Sequence, residues 1–210
     1  MLYVRDLDLP DAKMLPGSEN PLEPFWSPDS KSVAYGSNGK LKRSDLSGGN
    51  ALVLCNAARL VGGSWNKGSA IIFVPDYRTT FLTMSAQGGE TRPVAMNIEQ
   101  GNAERHRYPY FLADGRHFVF YRELKGIWAG SLDSPEIVQI LPDNSPVVYV
   151  RQGWLIFIRN EALVAQAFDS ATLKLSGEPE IVVGGQQKSW INNFRFSSSD
   201  TGSLVWQGVC

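Results

Sequence analysis

The sequence has few of the residues that usually build metal, redox or nucleophilic sites. Its 210 residues include two cysteines, Cys55 and Cys210, and two histidines, His106 and His117. Two cysteines without a C-x-x-C spacing make neither a disulfide framework nor a redox pair. A protein metal site generally needs at least three ligands, which two histidines in different segments do not supply. The sequence therefore predicts no metal site and no bound cofactor.

Long apolar runs and a strong net charge are also missing. No stretch approaches the roughly 18 apolar residues of a membrane span. The N-terminal segment carries Arg5, Asp6 and Asp8 where a signal peptide has an apolar run. The formal net charge is -1, which gives no general attraction to nucleic acid or to an anionic membrane. We therefore expect a monomeric chain without an export signal of its own, which binds no nucleic acid and inserts into no membrane.

The sequence shows no sustained helical period of apolar residues, so we expect essentially no helix. Short runs of aromatic and β-branched residues alternate instead with turns that contain Pro, Asp, Asn and Gly, which is typical of strands. A unit of an aromatic strand, a turn and an apolar strand recurs along the chain, the fourth copy keeping only the apolar strand. Its copies lie at 25–35, 64–74, 109–121, 154–158 and 194–206.

A second unit follows each first unit and ends in a turn such as Ser47-Gly48-Gly49. Its copies start at residues 2, 41, 81, 127 and 163, which gives a repeat of about forty residues, the usual size of a four-stranded propeller blade. The sequence therefore predicts an all-β fold, a β-propeller of about five four-stranded blades.

The two ends of the chain predict how such a ring closes. Residues 2–8 match the second unit and residues 194–206 match the first, so each end lacks what the other has. We expect one domain over residues 1–210, in which N-terminal outer strands pair with C-terminal inner strands to complete the last blade. The alternative is a partial slice of a six- to eight-bladed propeller. The expected blades are 23–56, 63–95, 108–141, 146–183, and 193–207 completed by 1–16.

Several of these segments carry a family resemblance. Residues 25–35 and 113–120 resemble the TolB-like, WD-repeat-like propellers. The closer resemblance is to the propeller region of bacterial serine/threonine protein kinases, which has runs similar to residues 2–8, 39–43, 47–49 and 108–112. The resemblance covers nearly the whole chain and implies an accessory sensor or interaction domain, which in relatives often lies beyond a membrane span. Kinase activity is not expected, because the Gly-rich loop, the Val-Ala-Ile-Lys lysine, His-Arg-Asp and Asp-Phe-Gly are absent.

The densest basic cluster, Arg105-His106-Arg107, supplies the first candidate site. We predict that it lies on the connection between one blade's outer strand and the next blade's inner strand, on the face where loops commonly carry function. Trp190 is the second candidate contact, because it is an aromatic residue in a polar stretch. Four aromatic residues recur at equivalent repeat positions and are expected to pack between blades instead: Trp26, Trp65, Tyr110 and Phe196.

The sequence therefore favours a non-catalytic propeller that binds a protein, a peptide or a small ligand through its loop face. No serine lies in a Gly-x-Ser-x-Gly elbow. The predicted inner strands hold almost no carboxylates of the kind that glycosidases need in pairs. One alternative is a propeller enzyme of the glycosidase or lyase type, and another is a structural spacer or a gene fragment. The resemblance suggests an extracytoplasmic, periplasmic setting, and a cytoplasmic setting is the alternative, because the N-terminal segment does not have the apolar run of a signal peptide.

Overall fold

The computed structural model describes residues 1–5, 11–97, 105–150, 152–184, 196–198 and 204–206. Within these ranges the chain forms twenty strands and no helix, and the strands pair in antiparallel fashion. The prediction of an all-β chain is therefore confirmed. Accordingly, no described segment is a helix that is long and apolar enough to cross a membrane.

The chain divides into two compact units, Met1–Val94 and Ala95–Cys210. Within each sheet of the first unit, each strand pairs with the next one along the chain. A hairpin of β1 (Leu2–Val4) and β2 (Lys13–Leu15) comes first. Blade 1 contains β3 (Leu22–Trp26), β4 (Ser32–Ser37), β5 (Lys40–Asp45) and β6 (Leu52–Asn56). Blade 2 contains β7 (Gly63–Trp65), β8 (Ala70–Phe73), β9 (Leu82–Ser85) and β10 (Arg92–Pro93).

The first unit has an apolar core on both faces of blade 1. Side chains alternate between the two faces of a strand, so Ala34 lies on the face toward blade 2, while Val33 and Tyr35 lie on the opposite face. The hairpin covers that opposite face with Leu2, Val4 and Leu15. The core between the blades includes Ala34, Leu41 and Leu54 of blade 1 and Ile71, Phe73 and Met84 of blade 2. Burying each large apolar side chain contributes about 1.5–3 kcal/mol.

The first strands of the two blades, β3 and β7, lie side by side. The Phe25 ring packs against Gly63 so closely that a Cβ on Gly63 would lie 2.4 Å from Cε1 of Phe25. Only glycine leaves room for the ring at this point. This contact positions the turn that follows β7 opposite the turn that follows β3.

The second unit repeats the arrangement with longer strands. Blade 3 contains β11 (His106–Phe111), β12 (His117–Arg122), β13 (Gly126–Ser131) and β14 (Val138–Leu141). Blade 4 contains β15 (Val147–Val150), β16 (Trp154–Arg159), β17 (Ala162–Asp169) and β18 (Lys174–Val183). A hairpin of β19 (Phe196–Ser198) and β20 (Leu204–Trp206) follows. The core between the blades includes Val119, Ile127 and Leu141 of blade 3 and Val147, Leu155 and Val164 of blade 4.

Aspartates close the turns between the first and second strands of blades 1 and 3. The Asp29 carboxylate accepts a hydrogen bond from the backbone N–H of Lys31 at 3.1 Å. Asp114 accepts two such bonds at 2.9 Å, from the backbone N–H groups of Arg116 and His117. This is the side-chain-to-backbone bonding that the turn residues of the repeat predict.

The four-stranded sheets span residues 22–56, 63–93, 106–141 and 147–183. The hairpins at residues 2–15 and 196–206 are two-stranded sheets. Their pairing into one closing blade stays a prediction.

Candidate functional site

The basic cluster predicted from the sequence lies only partly on a connection. Arg105 precedes β11 and is exposed, whereas His106 and Arg107 are the first residues of β11 and are each 4% exposed. The prediction that all three lie on a solvated connection is therefore wrong for His106 and Arg107. The strand begins earlier than its aromatic run because His106 pairs with Arg122, before a bulge that ends at Tyr110.

The cluster contacts Glu123 and Phe120 of the same blade. The Nη2 atom of Arg107 lies 3.0 Å from Oε2 of Glu123, and Nε of Arg105 lies 3.5 Å from the same oxygen. The His106 ring packs on Phe120 with 5.6 Å between ring centroids. These contacts give His106 and Arg107 a structural role in the strand. A ligand contact at Arg105 stays a prediction, and Trp190 lies outside the described residues.

The repeated aromatic residues divide between core and surface. Trp65 and Tyr110 pack against the cores of their units, as expected. Trp26 is 48% exposed, so the expectation of core packing is wrong there. Strand alternation puts Phe25 on the face of blade 1 that meets blade 2, and Trp26 on the other. The Phe196 side chain lies outside the described part of the chain.

A cleft of about 440 Å³ opens within the first unit, between the β3–β4 turn of blade 1 and the β7–β8 turn of blade 2. Both turns lie at the blade end opposite the β6–β7 connection, because the strands of each blade alternate in direction. The side chains that define the chemistry of the cleft are Ser27, Asp29, Arg43, Trp65, Lys67 and Gln87. The sequence did not single out this site.

The blade 1 rim is a turn fixed by its own polar side chains. Ser27 Oγ donates a hydrogen bond to Oδ1 of Asp29 at 2.6 Å, and it accepts one from the backbone N–H of Ser32 at 2.9 Å. The bond from Ser27, together with the backbone N–H of Lys31, holds the pKa of Asp29 below its ordinary value. Asp29 is therefore an ionised acceptor at neutral pH.

The blade 2 rim carries an aromatic residue and a cation. Oδ1 of Asn66 accepts a hydrogen bond from the backbone N–H of Ala70 at 2.9 Å, which shapes the turn. Trp65, the last residue of β7, is half-buried and forms a wall of the cleft. Lys67 at the turn is exposed and makes no hydrogen bond or ion pair with the part of the chain that the structure describes. Its ammonium group is thus available to a ligand.

Arg43 of β5 crosses from blade 1 to blade 2 at the base of the cleft. Its Nη1 atom donates to the backbone oxygen of Ala86 at 2.9 Å, and its Nη2 lies 3.1 Å from Oδ2 of Asp45. The side chain is 21% exposed, and its Nε has no acceptor among the described residues. Arg43 therefore joins the two blades and lines the cleft with a cation.

Asp45 lies beside Arg43 and is held in the same way as Asp29. Ser32 Oγ donates to its Oδ1 at 2.6 Å. This bond, with a further contribution from Arg43, lowers the pKa of Asp45 despite partial desolvation. A general acid needs a raised pKa near the working pH, so neither of these carboxylates is tuned for that role. Among the described residues, no group of three or more His, Cys, Asp or Glu side chains is placed to hold a metal ion.

The architecture of four-stranded antiparallel meanders defines the class of fold, a β-propeller. Among solved structures, the chain is similar to that of a protein described as TolB from Agrobacterium tumefaciens, with a TM-score of 0.64 and 16% sequence identity. The match covers 89% of this chain and 69% of that chain. No protein-family model and no curated protein matches the sequence. At this identity the likeness establishes the fold alone, which is that of a TolB-like propeller.

Proposed function

We propose that the chain is a non-catalytic interaction module that binds a peptide segment of a partner protein in the cleft between blades 1 and 2. The TolB-like propeller fold is compatible with a binding or interaction module, and the function has to be argued from the site that the fold carries. The observation that carries the proposal is the cleft, whose volume of about 440 Å³ falls within the range of roughly 300–1,000 Å³ typical of ligand pockets.

The chemistry of the cleft favours a peptide over a compact apolar ligand. Trp65 offers an apolar wall for a side chain, and aromatic residues are enriched where proteins bind one another. Gln87 is exposed, and its Oε1 accepts from Ser85 Oγ at 2.6 Å. The amide hydrogens of Gln87 make no bond within the described part of the chain, so they can pair with a peptide carbonyl. An aromatic wall beside amide donors suits a main chain with one anchoring side chain.

Binding rather than turnover is supported by the state of the acidic residues. The retaining and inverting glycosidases pair a carboxylate with a carboxylic acid whose pKa is raised. Asp29 and Asp45 instead have lowered pKa values, each because a serine hydroxyl donates to the carboxylate. Both residues therefore fix turns and charges at the cleft and supply no proton.

The finer setting, a sensor or interaction module associated with a bacterial kinase, rests on the sequence runs at residues 2–8 and 108–112. The genomic surroundings of the coding sequence test it. A kinase domain encoded in the same or a neighbouring reading frame would support this setting. Its absence would contradict the kinase association and leave the proposed cleft binding intact.

The experiment for the function is selection from a phage-displayed random peptide library on the immobilised chain. We expect enriched peptides with a Kd near about 1 μM, equivalent to about -8 kcal/mol. The Trp65→Ala and Gln87→Ala variants should bind them at least about tenfold more weakly, a loss of about 1.4 kcal/mol. Gln87 is exposed, so its variant keeps the test valid if Trp65→Ala folds poorly.

The matched control is Trp26→Ala, which removes an exposed tryptophan from the opposite face of blade 1. Its affinity for the selected peptides should equal that of the parent chain. A selection that enriches no peptide, or peptides that bind all the variants equally, would overturn peptide binding in this cleft.

A further inference from the structure

We propose that the cleft between blades 1 and 2 selects acidic peptides, with a ligand carboxylate placed against Lys67 and beside Arg43. This inference rests on the proposed function and adds the chemical class of the ligand. It follows from the charges of the side chains that line the cleft, which are two cations, Arg43 and Lys67, and one carboxylate, Asp29.

Each carboxylate near the cleft accepts hydrogen bonds from two protein donors. Asp29 accepts from Ser27 Oγ and from the backbone N–H of Lys31. Asp45 accepts from Ser32 Oγ and from Nη2 of Arg43. Both bonds to Asp29 end on its Oδ1, whereas Asp45 has both carboxylate oxygens engaged. Asp45 therefore offers little to a lysine or arginine on the ligand, and Asp29 is the one carboxylate among the cleft-lining residues.

The two cations of the cleft lining differ in how far the protein engages them. Lys67 lines the cleft, is exposed, and has no acceptor or carboxylate partner in the described part of the chain. The Nε of Arg43 is buried and has no acceptor among those residues, and its other nitrogens hold Ala86 and Asp45, so Arg43 contributes its positive charge beside the cleft and not an accessible Nε donor. Since hydrogen bonds between an ionised donor and an ionised acceptor are about twice as strong as neutral ones, a ligand carboxylate is the group that gains most here.

Trp65 sets the second requirement for the ligand. It precedes Lys67 by two residues, and both side chains line the cleft. An apolar side chain of the ligand can pack on the indole while a neighbouring carboxylate meets the ammonium group. The geometry thus points to an apolar residue flanked by Asp or Glu in an extended segment.

The experiment measures fluorescence anisotropy with three labelled eight-residue peptides that share a proline–leucine centre. They differ only in carrying two glutamates, two glutamines or two lysines. We expect the glutamate peptide to bind about tenfold more tightly than the glutamine peptide, which is about 1.4 kcal/mol, and the lysine peptide to bind most weakly. Added salt should narrow the difference in affinity between the peptides, because the Debye length falls from about 10 Å at 0.1 M to about 3 Å at 1 M.

Two variants distinguish a direct contact between the ligand and Lys67 from the general electrostatic field of the protein. Lys67→Gln should lower the affinity for the glutamate peptide to that for the glutamine peptide. Lys31→Gln removes an exposed cation at the same end of blade 1 that is not among the cleft-lining side chains, and it should change the affinity by less than about twofold.

The outcomes keep the two proposals apart. Equal binding of the glutamate and glutamine peptides, or equal effects of Lys67→Gln and Lys31→Gln, would overturn acidic selectivity and leave peptide binding standing. Tighter binding of the lysine peptide would also overturn it. No binding of any of the three up to about 1 mM, the weak end of specific association, would contradict the peptide-binding function itself.

Discussion

At the scale of single residues, two glycines show how much space neighbouring backbone atoms leave for a side chain. Gly126 begins β13 with φ of +93°, and a Cβ there would lie 2.3 Å from the backbone oxygen of Leu141. Gly49 has a similar φ of +103° but nothing within 4 Å of the same position. A side chain at Gly49 would therefore meet only the free-energy cost of the left-handed backbone, whereas one at Gly126 would also clash with neighbouring atoms.

The first prediction compares Gly126→Ala with Gly49→Ala. Gly49→Ala should cost about 1 kcal/mol for the left-handed conformation. Gly126→Ala should cost about 2–4 kcal/mol or prevent folding, because backbone atoms must also move. Urea denaturation of both variants measures the difference, and equal midpoints would contradict the close approach of β13 and β14.

The second prediction concerns Asp45 and acid stability. Since its folded-state pKa is lowered, the stability it contributes is complete above the ordinary aspartate pKa of about 4. That contribution is lost as the pH falls through the lowered pKa of the folded state. Asp45→Asn and Ser32→Ala should each flatten the loss of stability below about pH 4. Denaturation midpoints measured from neutral pH to about pH 2 test this, and unchanged slopes in both variants would contradict it.

At the scale of strands, alternation gives adjacent residues opposite roles. In β2, Leu15 is 2% exposed and packs on Val33 and Tyr35, whereas Met14 is 45% exposed. The hairpin is thus attached to blade 1 through one side of a short strand.

The third prediction uses these neighbours as a matched pair. Leu15→Ala should destabilise the chain by about 2–5 kcal/mol, the usual cost of truncating a buried leucine. Met14→Ala should stay within about 0.5 kcal/mol, as exposed positions usually do. Thermal unfolding of both variants measures the loss of stability, and an equal loss in the two would mean that β2 does not pack in this orientation.

The fourth prediction tests the contact between the first strands of blades 1 and 2. Gly63→Ala should destabilise the first unit by about 1–3 kcal/mol, because the added Cβ overlaps the Phe25 ring. Phe25→Leu in the same chain should recover part of that loss. The double-mutant cycle gives the coupling energy, and a value near zero would contradict the contact.

The sequence predicts strand content and turn chemistry well because both are local. The Asp29 and Asp114 turns follow from side chains that bond a backbone two residues on. The early start of β11 could not be predicted, because the pairing of His106 with Arg122 depends on a bulge that no local sequence pattern indicates. The exposure of Trp26 was missed for a related reason, because one residue of register exchanges the two faces of a strand.

At the scale of the whole molecule, each unit has an apolar core between neighbouring blades, and the turns lie at the ends of the blades. The cleft combines turns that are 39 residues apart at Ser27 and Asn66. Its site could not be read from the sequence, because Arg43 lies in one motif and Trp65 and Lys67 in another, and only the packing of blade 1 on blade 2 brings them together.

The fifth prediction follows from a site shared by two blades. A peptide that binds only the folded first unit stabilises it by about 2.7 kcal/mol at 100 times its Kd. The melting temperature should therefore rise with peptide concentration in the parent chain and in Trp26→Ala, and much less in Trp65→Ala. Scanning calorimetry measures this, and a rise of the same size in Trp65→Ala would exclude the cleft as the binding site.

The turns at residues 28–31 and 67–69 border the cleft without belonging to the apolar core between blades 1 and 2. Asp29 fixes the β3–β4 turn and has to be kept, but the other residues of these two turns can change while the interior of the blades remains intact. A library randomised at these positions would yield a graftable recognition surface on a constant scaffold. The same separation gives natural variation a route to new partners through a handful of codons, at little risk to folding.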